Sequence, residues 1–172
     1  MNNLILIGMP GVGKSCIGVV LAKALGMSFI DSDIVIQEET GRTLSDIIAD
    51  VGREGFLRLE EEINVRIECE NSVIATGGSV IYGPEAMEHL RAIGRVVYLQ
   101  LSYPTIEARL GDLHARGVSI APGQTLLDLY NERCPLYEKY AHITVACNQL
   151  RPREVAAEIL SRVGREAPGL YR

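Results

Sequence analysis

The octapeptide Gly8-Met9-Pro10-Gly11-Val12-Gly13-Lys14-Ser15 constrains this chain more than any other stretch. It fits G-x-x-x-x-G-K-[S/T] at every fixed position. It follows the apolar run Leu4 to Ile7 and opens into residues 14–25, where Ile17, Val20, Leu21, Ala24 and Leu25 share one helical side. A strand, a glycine-rich turn and a helix in that order form a cradle for phosphate. The glycines let backbone N–H groups close around phosphate oxygens, and the helix N-terminus adds a favourable field. Lys14 brings a point charge to the outer phosphates, and Ser15 offers a hydroxyl to Mg²⁺. The loop therefore predicts a nucleoside triphosphate with Mg²⁺ and says nothing about a second substrate. Gly11, Val12, Gly13, Lys14, Ser15 and Cys16 are the expected contacts.

Beyond the loop, apolar runs keep alternating with helical patterns. Short strands are predicted at 28–30, 72–75, 95–101 and 143–145. Helices are predicted at 34–39, 44–51, 55–69, 84–93, 105–113, 125–140 and 152–163, with Pro135 expected to kink or split the sixth. Strands alternating with helices imply a parallel sheet covered on both faces. With 172 residues the chain fits one α/β domain. Residues 114–123 lack periodicity and hold two glycines and a proline, which marks a candidate lid at about 112–124.

Composition removes several classes. A net charge of −5 is a poor electrostatic match for nucleic acid or an anionic membrane. The cysteines Cys16, Cys69, Cys134 and Cys147 form neither a C-x-x-C pair nor a zinc spacing, which reads as reduced thiols. No apolar run reaches the ~18 residues that span a bilayer, and the N-terminus does not read as a signal peptide. The expected compartment is the cytoplasm.

Three further segments can carry chemistry. Asp31-Ser32-Asp33 closes the second predicted strand, at the edge where open parallel sheets bind ligands. Two carboxylates there suit a contact to metal-bound water and a group that takes or orients a hydroxyl proton. Asp33 reads equally as a helix N-cap. Thr76-Gly77-Gly78-Ser79 follows the third strand, where paired glycines either let a ligand approach the backbone or make a plain turn. Arg133 precedes Cys134-Pro135-Leu136-Tyr137 and, alone, reads as a solvated arginine. His89 and His142 lie away from every motif.

Taken together, the loop at 8–15, Asp31-Ser32-Asp33, Gly41-Arg42, Glu60-Glu61, Gly77-Gly78 and Arg133-x-Pro135-Leu136-Tyr137 resemble shikimate kinase, from Asn3 to about Leu160. The resemblance implies a three-layer P-loop kinase fold of the nucleoside-monophosphate-kinase type, with a central, mostly parallel five-stranded sheet flanked by helices. It implies ATP and Mg²⁺ at Lys14 and Ser15, with Asp31 near the metal. Asp33 would hold substrate hydroxyls and assist proton removal. Gly77 and Gly78 would meet substrate through their backbone, Arg133 would pair with its carboxylate, and Arg109 would lie near the adenine. The expected molecule is a monomer whose partner is a small hydroxy acid.

The chain departs from that pattern in three places. The family motif F-R-x-x-E reads Phe56-Leu57-Arg58-Leu59-Glu60 here, so Leu57 takes the place of an arginine that binds the substrate carboxylate. Arg58 points about 100° away. Arg53, four residues earlier on Leu57's side, is the candidate replacement, unless the substrate differs. The lid retains Arg116, either a cation for the transferring phosphoryl group or an idle surface arginine. Ser79 replaces a third glycine, where its hydroxyl either meets a ligand or caps a turn.

The leading expectation is phosphoryl transfer from ATP to a hydroxyl of shikimate. A kinase for another small polyol or hydroxy acid is the near alternative. A nucleotide-binding regulator without turnover is the distant one.

Overall fold

The computed structural model describes residues 2–110 and 118–166. Among these residues five strands, β1 (Asn3–Ile7), β2 (Ser28–Asp31), β3 (Ser72–Ala75), β4 (Gly94–Gln100) and β5 (Ile143–Ala146), form one sheet in the order β2-β3-β1-β4-β5. Every neighbouring pair is parallel, with Leu4 opposite Val73 and Asn3 opposite Gly94. Leu4, Ile5, Leu6 and Ile7 of the central strand are fully buried, as an apolar run covered on both faces must be.

Among the described residues, seven α-helices surround the sheet: α1 (Lys14–Leu25), α2 (Ser32–Thr40), α3 (Leu44–Val65), α4 (Pro84–Ile93), α5 (Tyr103–Leu110), α6 (Leu126–Tyr140) and α7 (Pro152–Glu166). The three-layer fold is the one expected. Helices α1 and α7 pack on each other, while α3 packs on α2 and α4. Beside the main core, Ile36, Ile47, Phe56 and Ile63 form a second apolar cluster between α2 and α3. No helix among the described residues is long and apolar enough to cross a membrane.

Several boundaries differ from those expected. Helices predicted at 44–51 and 55–69 are two arms of α3 that meet at Gly52, whose φ of 70° interrupts the helix. The second arm stops at Val65 because the chain there turns back to β1: Asn3 Nδ2 donates to Cys69 O at 2.8 Å and its Oδ1 accepts from Ser72 N at 2.9 Å. Helix α6 continues through Pro135 instead of splitting. Losing one backbone hydrogen bond is tolerated where Leu129, Arg133 and Tyr137 are all buried on the same helix. A short 3-10 helix, Val80–Tyr82, was not anticipated after the paired glycines. All four cysteines are unpaired.

Candidate active site

The carboxyl ends of β1, β2 and β3 open onto a cleft of about 530 Å³. It lies where the sheet order reverses around β1, the usual ligand crevice of an open parallel sheet. The phosphate-binding loop forms one wall. Gly8, Gly11 and Gly13 have φ of 146°, 80° and 99°, values that side chains rarely allow. A Cβ on Gly8 would lie 2.6 Å from Leu99 O, so the turn needs glycine for space as well as conformation. Helix α1 starts at Lys14 with no side-chain cap, leaving its first N–H groups facing the loop's concavity.

Lys14 is 8% exposed and folds back over the loop, donating to Gly8 O at 2.8 Å and Met9 O at 3.2 Å. Burial lowers its ammonium to about 8, against the attraction of Asp33 and Asp31. Ser15 Oγ donates to Asp31 Oδ2 at 2.6 Å. The other oxygen of Asp31 accepts from Asp33 N at 3.1 Å, so Asp31 is the N-cap of α2. That corrects the strand placement of Asp33: β2 ends at Asp31, and Asp33 sits in the first turn of α2. Its carboxyl lines the cleft, and burial raises it to about 6 despite the nearby Lys14.

The opposite wall comes from the turn after β3 and from α6. A Cβ on Gly77 would lie 2.2 Å from Glu60 Oε1 and 2.8 Å from Asp33 Oδ1. One on Gly78 would lie 2.9 Å from Pro10 Cδ and 3.0 Å from Arg133 Nη1. Neither position has room for a side chain, so the bare backbone borders the cleft. Arg133 is not a surface arginine. It is 1% exposed, with Nη2 donating to Ser119 O at 2.6 Å and Nε to Tyr82 Oη at 3.4 Å.

Arg53 shares that neighbourhood without lining the cleft. Its guanidinium lies 5.0 Å from the centre of the Tyr82 ring, and that of Arg133 lies 5.3 Å away. Arg53 Nη2 is 3.7 Å from Glu132 Oε1, and its Nε is buried without a hydrogen-bond partner. Leu57 instead packs against the second apolar cluster. Arg109 Nη1 reaches the carbonyls of Gly11 and Val12, each at 3.5 Å, on the outer side of the loop. Cys16 lines the cleft beside Ser15. Arg116 lies outside the described residues, as does most of the first half of the expected lid.

Two residues of this region had no assigned role from sequence. Glu60 is 1% exposed on the face of α3 that also buries Phe56, Ile63 and Asn64. A glutamate at that helical spacing within an apolar stripe was the available signal. Tyr82 carried none, because the 3-10 helix that presents it was not foreseen.

The sequence matches the shikimate kinase family model over residues 10–164, nearly all of the chain. The chain belongs to the shikimate kinase family. Family relatives include the shikimate kinase of Symbiobacterium thermophilum, 36% identical over 166 residues that cover 94% of this chain and 95% of that protein. The shikimate kinase of Mycobacterium avium is 38% identical, covering 92% of each chain. Among solved structures, a shikimate kinase from Acinetobacter baumannii in complex with shikimate superposes with a TM-score of 0.86. Its sequence is 30% identical, and the match covers 98% of this chain and 96% of that one. Membership in this family makes the chain a phosphotransferase acting on a hydroxyl group.

Proposed function

We propose that this chain transfers the γ-phosphoryl group of ATP to a hydroxyl of shikimate, giving the phosphate monoester and ADP. The observation that supports this most directly is that Lys14, Asp33 and Arg133 line one cleft. A cation for phosphate, a proton acceptor and a cation for a carboxylate are the three groups the reaction needs.

The loop fits ATP, because glycine backbone shapes its cradle and α1 leaves N–H groups free there. Residues Gly11 to Cys16 hold the phosphates, and Arg109 borders the nucleotide. Ser15 and Asp31 fit Mg²⁺: a hydroxyl and a carboxylate 2.6 Å apart are hard oxygen donors, and Mg²⁺ commonly takes only one or two from protein. When bound, the ion supplies charge neutralisation for the phosphates. Lys14 exchanges its bonds to Gly8 O and Met9 O for phosphate oxygens. Asp33, ionised above about pH 6, accepts the proton of the attacking hydroxyl. That oxygen forms a bond to the γ-phosphorus as the bond to the ADP oxygen breaks. Gly77 and Gly78 present backbone to the substrate, and Arg133 pairs with its carboxylate.

Arg53 supplies the second cation for that carboxylate in place of Leu57. Its unpartnered Nε and its shared stacking on Tyr82 with Arg133 support this reading. The same departure favours one second reading, a related hydroxy acid as acceptor. Arg116, in the lid expected at about 112–124, is the candidate cation for the transferring phosphoryl group. The enzyme works as a monomeric single domain in the cytoplasm.

Steady-state ADP release with Mg²⁺ and ATP, with and without shikimate, tests the proposal beside a Lys14→Ala control. Shikimate-dependent turnover that is lost in the control is the expected result. ATP binding without shikimate-dependent turnover would transfer the assignment to another hydroxy acid, to be found with a substrate panel.

A further inference from the structure

Ser79 is 6% exposed and donates to Glu60 Oε2 at 2.5 Å. That bond occupies one oxygen of a carboxyl that is itself 1% exposed. The other oxygen, Oε1, is buried without a hydrogen-bond partner. A buried acceptor left unmatched costs stability, and such groups persist where a ligand completes them. The direction of Oε1 is fixed by Gly77: a Cβ there would lie 2.2 Å from it and 2.8 Å from Asp33 Oδ1. Two carboxylate oxygens from different helices thus converge on one stretch of bare backbone inside the cleft. The backbone of Glu60 is held as well, since its carbonyl accepts from Asn64 Nδ2 at 2.7 Å.

Resting on the reading of this cleft as a hydroxy-acid kinase site, we propose that Ser79 is a positioning residue: it pins Oε2 of Glu60 so that Oε1 faces a substrate hydroxyl beside the one held by Asp33. The acceptor is therefore recognised as a polyol, with one carboxylate for the hydroxyl that reacts and another for a neighbour. A glycine at 79 provides no such donor, so the Glu60 carboxyl group could rotate.

The ionisation of Glu60 gives this arrangement a distinctive signature. Burial raises its carboxyl to about 7. The Ser79 hydroxyl opposes that shift, Asp33 on α2 adds to it, and Arg133 on α6 and Lys14 on α1 oppose it. Removing the hydroxyl raises the carboxyl further. The ionised Oε1 accepts from the substrate, so affinity for the acceptor falls as Glu60 takes up a proton.

The experiment compares wild type with Ser79→Ala and Ser79→Gly, two variants that shrink the side chain without adding bulk. It measures kcat and KM for shikimate and for ATP from pH 5.5 to 9, and the Glu60 carboxyl titration by ¹³C NMR. Expected in both variants is a break in KM for shikimate moved up by roughly one pH unit, the value of one charge-assisted hydrogen bond. KM for shikimate rises about tenfold near neutral pH, whereas KM for ATP and kcat at high pH stay close to wild type. The NMR titration of Glu60 moves upward in step. An active wild type whose KM profile and Glu60 titration are both matched by the variants overturns the role of Ser79 alone. A wild type that binds ATP but neither binds nor phosphorylates shikimate overturns the functional reading and this proposal with it.

Discussion

Arg53 lies with its guanidinium carbon 5.0 Å from the centre of the Tyr82 ring, one helical turn before Leu57 on α3. Under the proposed function, Arg53 takes the part of the missing family arginine. Arg53→Met should raise KM for shikimate by about ten- to a hundredfold, as expected for one charge-assisted hydrogen bond. KM for ATP should stay the same. Steady-state kinetics with each substrate varied in turn would detect this, and an unchanged KM for shikimate would exclude Arg53 from the carboxylate site.

Asp33 is the expected proton acceptor. Asp33→Asn should lower kcat by roughly 10²- to 10⁴-fold, the usual range for loss of a general base. In the wild type, kcat should fall as pH drops through about 6, where burial has placed the Asp33 carboxyl. A flat acid limb would show that another group takes the proton.

Gly77→Ala places a methyl group where Glu60 Oε1 and Asp33 Oδ1 already converge. Both carboxylates must move, so shikimate-dependent turnover should be nearly lost while the fold survives. Circular dichroism and a nucleotide-binding titration would separate this from global unfolding.

The buried carboxyls also tie stability to pH. Glu60 and Asp33 titrate higher in the folded chain than their ordinary values of 4.5 and 3.8, reaching about 7 and about 6. The folded state binds their protons more tightly than the unfolded state does. Their stabilising contribution is therefore complete below about pH 4 and is lost progressively as pH rises through 6 and 7. The melting temperature of ligand-free wild type should fall more steeply between pH 5 and 8 than that of Glu60→Gln.

Asn3 joins β1 to three other segments, donating to Cys69 O and Ile93 O and accepting from Ser72 N. Asn3→Ala leaves buried backbone groups unmatched and should cost about 1–3 kcal/mol of stability for each group that water cannot reach. Urea denaturation would measure it. A variant as stable as wild type would mean that the chain there relaxes toward solvent.

The sequence carried the fold because its signals were local. The loop at 8–15 named its own strand and helix, and the apolar runs named the strands. Much of the cleft was legible as well, because Lys14, Ser15, Asp31, Asp33 and the paired glycines lie in the turns and first helical turns that follow β1, β2 and β3. The arrangement of the remainder depends on contacts between distant segments. Asp31 caps α2 through a local bond, but its second oxygen is taken by Ser15, sixteen residues earlier, which no local signal showed. Arg133 is buried because Ser119 O and Tyr82 lie above it, and nothing within α6 requires that. Glu60 could be suspected from helical spacing, but its partner Ser79 could not, since the two meet only after the sheet has formed.

The parallel register has a consequence for the order in which the protein can be assembled. β1 is synthesised before both of its neighbours, since it pairs with β3 through Leu4 and Val73 and with β4 through Asn3 and Gly94. During translation the most apolar strand must wait, unpaired, for segments made much later. The nucleotide loop attached to it has no rigid base until then. Nascent chains released before Ser72 should leave β1 open to protease, whereas chains extended past Gln100 should protect it, so the central strand is secured only after both of its neighbours have been made.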